Sequence, residues 1–128
     1  MRDRFVRIAF DEHASIAAFA QTILKLLALG AEAMLIERTS AALRDEVNHA
    51  RLAFELVGRM GELARAAPGP LPEAIALSPA GGPEDLARQL LLDVLVGGCV
   101  GETLSVLAAS DLAEHAPLEA QPFLSHRD

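Results

Sequence analysis

The strongest constraint on this chain is a short break at Gly30. It separates two runs of similar length in which apolar residues recur every three to four positions. The first run extends from about Asp3 to Leu29 and the second from about Ala31 to Met60, where Gly61 follows. A glycine just past the last periodic residue is a helix stop, because it takes the left-handed conformation without a Cβ clash. Two long helices joined by so short a connection must lie antiparallel, so the first 60 residues read as a helical hairpin.

No stretch of Val and Ile alternates with polar residues as a half-buried strand would, and the class is therefore all-α. The 128 residues suffice for one domain with a modest core and not for two, so 1–128 is expected to be a single helical domain. Residues 61–83 hold the breakers Ala-Pro-Gly-Pro-Leu-Pro and Ser-Pro-Ala-Gly-Gly-Pro and form a connector. A connector of this length inside a compact domain is expected to travel, here along the hairpin, which would set a third helix parallel to the second. That helix begins at Pro83-Glu84-Asp85, a proline and two acids suited to a first turn, and runs to about His115. Beyond it the prolines at 117 and 122 break the pattern, and no fourth helix is expected.

Chemistry concentrates in the middle of the second run, at Asp45-Glu46-Val47-Asn48-His49-Ala50-Arg51-Leu52. At 100° per residue, Arg44, Asn48, Arg51 and Glu55 share a polar face. Glu46 and His49 fall opposite, with Leu35, Ala42, Ala53, Leu56 and Met60, where a carboxylate and an imidazole are costly to bury without compensation. Residues at i and i+3 sit on adjacent turns of one face, so both side chains can reach one metal ion.

Two further acids bear on that pair. Glu12 continues the apolar stripe Leu27, Ile23, Phe19, Ile16 toward the N-terminus. It either reaches water or complements the helix dipole, or it faces inward as a ligand. Glu12 lies 18 residues before Gly30 and Glu46 lies 16 after it, so both stand about 25 Å from the turn and should meet at one level. Glu102 is the only charged residue from Val94 to Ser110, on a face with Leu91, Leu95, Cys99, Val106 and Ala109. It is either a protonated or hydrogen-bonded core carboxyl or a third acid at the same level. Gly97, Gly98 and Gly101 beside it imply close approach of a neighbouring helix, a local bulge, or space next to Glu102. Cys99 reads as a small buried apolar residue, and His13, His115 and His126 read as solvated.

Net charge excludes some partners. At −7, with pI about 5.0 and no basic cluster, the chain is not expected to bind nucleic acid or an anionic membrane surface. A single cysteine rules out an intrachain disulfide and a cysteine-based zinc site, and fits a reducing, cytoplasmic compartment. The run from Leu90 to Ala109 is long enough to raise a membrane span, but it contains Asp93, Glu102 and three glycines, and no membrane association is expected.

Glu12-His13-Ala14-Ser15, Asp45 to Leu52 and Gly98-Cys99-Val100-Gly101-Glu102-Thr103-Leu104 together resemble the first three metal-bearing helices of bacterial ferritin-like proteins. The resemblance implies a four-helix-bundle plan with a long crossover between helices 2 and 3, here lacking the fourth helix. Carried over residue by residue, it makes Glu12 a terminal carboxylate ligand, Glu46 a bridging carboxylate, His49 a terminal imidazole and Glu102 the third-helix carboxylate. The implied cofactor is a pair of iron ions, with manganese or zinc as substitutes. A second Glu-x-x-His, which a fourth helix of that superfamily would supply, does not occur in the sequence.

Three helices without a fourth leave apolar faces open. Self-association is expected, as a homodimer that covers those faces or lends ligands across an interface. The function implied is a carboxylate-bridged dinuclear metal protein, an oxidoreductase reacting with dioxygen or peroxide. The chain has no Tyr or Trp, which removes a tyrosyl-radical role. The alternative is a non-catalytic helical interaction module with a vestigial metal site.

Overall fold

The computed structural model describes residues 2–61, 68–71 and 81–115, and every regular element among them is helical. Helix α1 spans Arg2–Ala28 and α2 spans Ala33–Arg59. A third helical stretch begins as α3, Pro83–Asp93, passes through a π-helical segment, Val94–Gly101, and ends as α4, Glu102–His115. The helix boundaries expected from periodicity and glycine stops agree with these to within a few residues. Residues 116–128, expected to hold no helix, and with them His126, lie outside the described residues.

Gly30 closes α1 in the expected way. Its φ is 70°, its amide donates to the Leu27 carbonyl at 3.1 Å, and the Ala31 amide donates to the Leu26 carbonyl at 3.0 Å. This pair of bonds is the Schellman arrangement, which satisfies two carbonyls at the helix end and turns the chain back within four residues. Gly61 ends α2 similarly, with φ 82° and an amide donating to the Gly58 carbonyl.

The chain divides into two compact units, 1–86 and 87–128. In the first, α1 and α2 form the antiparallel hairpin. Glu12 approaches His49, and Phe10 packs edge-on against Phe54 with ring centroids 5.6 Å apart, so positions rising along α1 meet positions falling along α2. The seam buries Phe5, Ala9 and Leu26 of α1 and Ala50, Leu56 and Val57 of α2. On the far side of α2 the expected polar face is exposed, and the Arg51 guanidinium pairs with Glu55 at 2.8 Å. Leu35, expected on the inner side, is 47% exposed near the start of α2.

The connector is described only at 68–71. There the Gly69 carbonyl stands 3.1 Å from His13 Nε2. This contact places Gly69 beside the first half of α1; residues 62–67 and 72–80 of the connector, expected to travel along the hairpin, lie outside the described residues. At its far end Asp85 accepts from the Gly82 amide at 3.3 Å, a side-chain cap for α3, with Pro83 in the first helical position.

The second unit is a different object. Its π-helical segment contains all three glycines of the third stretch, so of the three roles expected for them a local bulge is the one observed. A π turn leaves backbone groups offset by one residue; Thr103 Oγ1 donates to the Cys99 carbonyl at 2.7 Å where the segment returns to α-helix. Cys99 is exposed, contrary to the buried position expected for it. The sequence pattern placed it on the apolar face of a regular helix, and here it sits in a widened turn whose neighbours are glycines. Among the described residues one helix, Pro83–Ala108, is long and apolar enough to cross a membrane by length and composition, and none of its most apolar window is buried.

Candidate metal centre

Glu46 lies halfway along α2 and turns into the hairpin seam, where it is the buried charged residue of the described core, 7% exposed. Its neighbours along the seam are small. Ala50, one turn on, is 4% exposed, and Ala9, one turn before Glu12 on α1, is fully buried. Alanines at these positions leave room for two carboxylates between helices that larger side chains would fill.

His49 follows Glu46 by three residues and Glu12 faces both from α1. His49 Nδ1 stands 3.7 Å from Glu46 Oε1 and 3.7 Å from Glu12 Oε2. These separations are too long for good hydrogen bonds, which close at about 2.7–3.2 Å. They suit donors arranged around a common point. One ligand atom from each of Glu12, Glu46 and His49 lies within 4.8 Å of the other two. Donors held about 2.1 Å from a shared ion stand roughly 3 Å apart at right angles, so binding would draw the group together by on the order of 1 Å.

The three side chains differ in exposure, at 9% for Glu46, 19% for Glu12 and 56% for His49. Burial thus increases from the imidazole inward, and the group opens to the surface on the His49 side. His49 is more exposed than its place on the apolar side of α2 implied. It projects from the edge of that face, about 60° around the helix from Glu46.

The donor set fits a divalent transition ion. Two carboxylates and one imidazole are hard and borderline ligands suited to iron, manganese or zinc, and two carboxylates balance the charge of one such ion. Glu102, the fourth residue expected as a ligand, lies in the second unit at the first position of α4, where it is exposed.

One residue beside the group carries a role the sequence did not reveal. His13, expected to be solvated, is half-buried: it packs edge-on against Phe54 at 6.1 Å between ring centroids, and its Nε2 meets the Gly69 carbonyl. Its partner lies 56 residues away in a segment without periodicity, so no local pattern could signal the contact. His115, by contrast, is exposed as expected, with Nδ1 2.8 Å from the Asp111 carbonyl of its own helix. No protein-family model, curated protein or solved structure matches the chain, so the site stands on its own geometry.

Proposed function

We propose that the chain is a ferritin-like metal protein in which Glu12, Glu46 and His49 hold iron, or manganese in its place, as part of a carboxylate-bridged dinuclear centre. The observation that carries this reading is the convergence of one ligand atom from each of three residues, drawn from two helices, on a seam lined with alanine. Two carboxylates turned toward each other in a hairpin core repel unless a cation or proton lies between them. The long Pro/Gly connector, in the position of the crossover of a ferritin-like bundle, supports the same family.

Glu46, the most buried of the three, would serve as the bridging carboxylate and Glu12 and His49 as terminal ligands, with His49 nearest to solvent. Bound iron would supply the electrons for reaction with dioxygen or peroxide, which makes an oxidoreductase the activity class. The chain's own part is to orient the ligands and to keep one side of the site dry through the α1–α2 seam.

A second reading, a helical interaction module with a vestigial site, is favoured by the apolar side chains exposed along the third stretch, among them Leu91, Val96, Leu104 and Leu107. Titration with Mn²⁺, followed by the electron paramagnetic resonance of the free ion, separates the two. Glu12→Gln, Glu46→Gln and His49→Gln should each weaken binding at least tenfold, as loss of one ligand of three does, with circular dichroism showing the helices retained. Equal binding by all four proteins would refute the metal reading.

A further inference from the structure

Resting on the metal site proposed above, we infer that His13 is a positioning residue for that site. Held between Phe54 and the Gly69 carbonyl, it fixes the rotation of α1 and with it the reach of the Glu12 carboxylate toward Glu46 and His49. Of the three donors only Glu12 comes from α1; Glu46 and His49 share α2, whose own geometry sets their spacing. The place of Glu12 relative to them therefore depends on how α1 is turned against α2. A carboxylate stands about 6 Å from its helix axis, so a turn of roughly 10° moves it by on the order of 1 Å. That is as far as the donors have to close around an ion.

The seam beside the donors does little to hold that angle. Ala9 and Ala50, the buried residues one turn from Glu12 and Glu46, interlock less deeply than large side chains do. The angle is held on the flank instead. Phe10 and His13, which bracket Glu12 in sequence, both pack edge-on against Phe54, with ring centroids 5.6 and 6.1 Å away. His13 is also tied through Nε2, 3.1 Å from the Gly69 carbonyl. A carbonyl only accepts, so Nε2 carries the proton and donates it. Gly69 stands between Pro68 and Pro70, whose rings restrict the backbone that presents this carbonyl. His13 lies about 100° around α1 from Glu12, so it acts on the site through the helix.

Mn²⁺ titration of the full chain, read by the electron paramagnetic resonance of the free ion, tests this as a double-mutant cycle, with circular dichroism on the same samples. His13→Phe keeps a ring against Phe54 and removes the N–H. It should weaken Mn²⁺ binding roughly tenfold, the smaller end of what groups that orient a ligand contribute. His13→Gln, whose amide can donate to the same carbonyl, should bind close to wild type. In a Glu12→Gln background His13→Phe should cost nothing further, because the residue it acts through has gone. Wild-type affinity in His13→Phe, or the same loss with and without Glu12, would overturn the positioning role while leaving the metal site intact. So would His13→Gln binding as weakly as His13→Phe. A wild-type chain that binds no Mn²⁺ would overturn the metal site itself, and with it the role assigned to His13.

Discussion

The α1–α2 hairpin and the third helical stretch put their apolar side chains to different ends. The hairpin buries Phe5, Leu26, Leu56 and Val57 along one seam and sets its two inward carboxylates there. The stretch from Pro83 is more apolar, yet Leu91, Leu92, Leu95, Val96, Val100, Leu104 and Leu107 are all about half exposed or more. The difference lies in how the residues are distributed. In α2 the polar residues Arg44, Asn48, Arg51 and Glu55 collect on one side, which directs the other side inward. From Val94 to Gly101 no polar side chain marks an outside, and a helix apolar all round has no preferred face. Hydrophobicity supplies the driving force for burial, and segregation around the helix decides where it acts.

The largest test of this contrast is a pair of truncations. Leu56→Ala, in the hairpin seam, should cost about 2–4 kcal/mol, as expected for a buried leucine that leaves a cavity. Leu104→Ala, 60% exposed, should stay within about 0.5 kcal/mol. Chemical denaturation followed by circular dichroism measures both, and equal losses would show that the third stretch has a core of its own.

Next in size is the turn. Gly30→Ala places a Cβ on a residue with φ 70°, and should cost about 1–2 kcal/mol even though no atom lies within 4 Å of that Cβ. Gly97→Ala sharpens the comparison from the other side. The added methyl also meets nothing within 4 Å, and the helix gains up to about 1 kcal/mol of propensity, so the protein should be stabilised. A loss instead would mean that the glycine admits a close neighbour. The smallest effect is expected at Arg51→Ala, which removes an exposed i,i+4 pair worth less than about 0.5 kcal/mol.

The hairpin was legible in the sequence because its signals are local. Gly30 and Gly61 mark stops, the 3.6-residue period marks the faces, and a constant rise per residue turns the distances of Glu12 and Glu46 from the turn into a shared level. Three of the four residues expected at the site do converge for that reason. The pairing of His13 with Gly69 was not legible, since it depends on the path of a connector that periodicity does not describe. Nor was the exposure of Cys99, because a π segment shifts the angular positions that a regular helical wheel assigns.

Whether Glu12, Glu46 and His49 hold metal is decided by elemental analysis. Protein purified with added iron should contain about one iron per chain, as one donor group per chain can hold. The Glu46→Ala/His49→Ala variant, prepared in parallel and still helical, should contain almost none. Equal and substoichiometric iron in the two proteins would mean that these residues hold no metal.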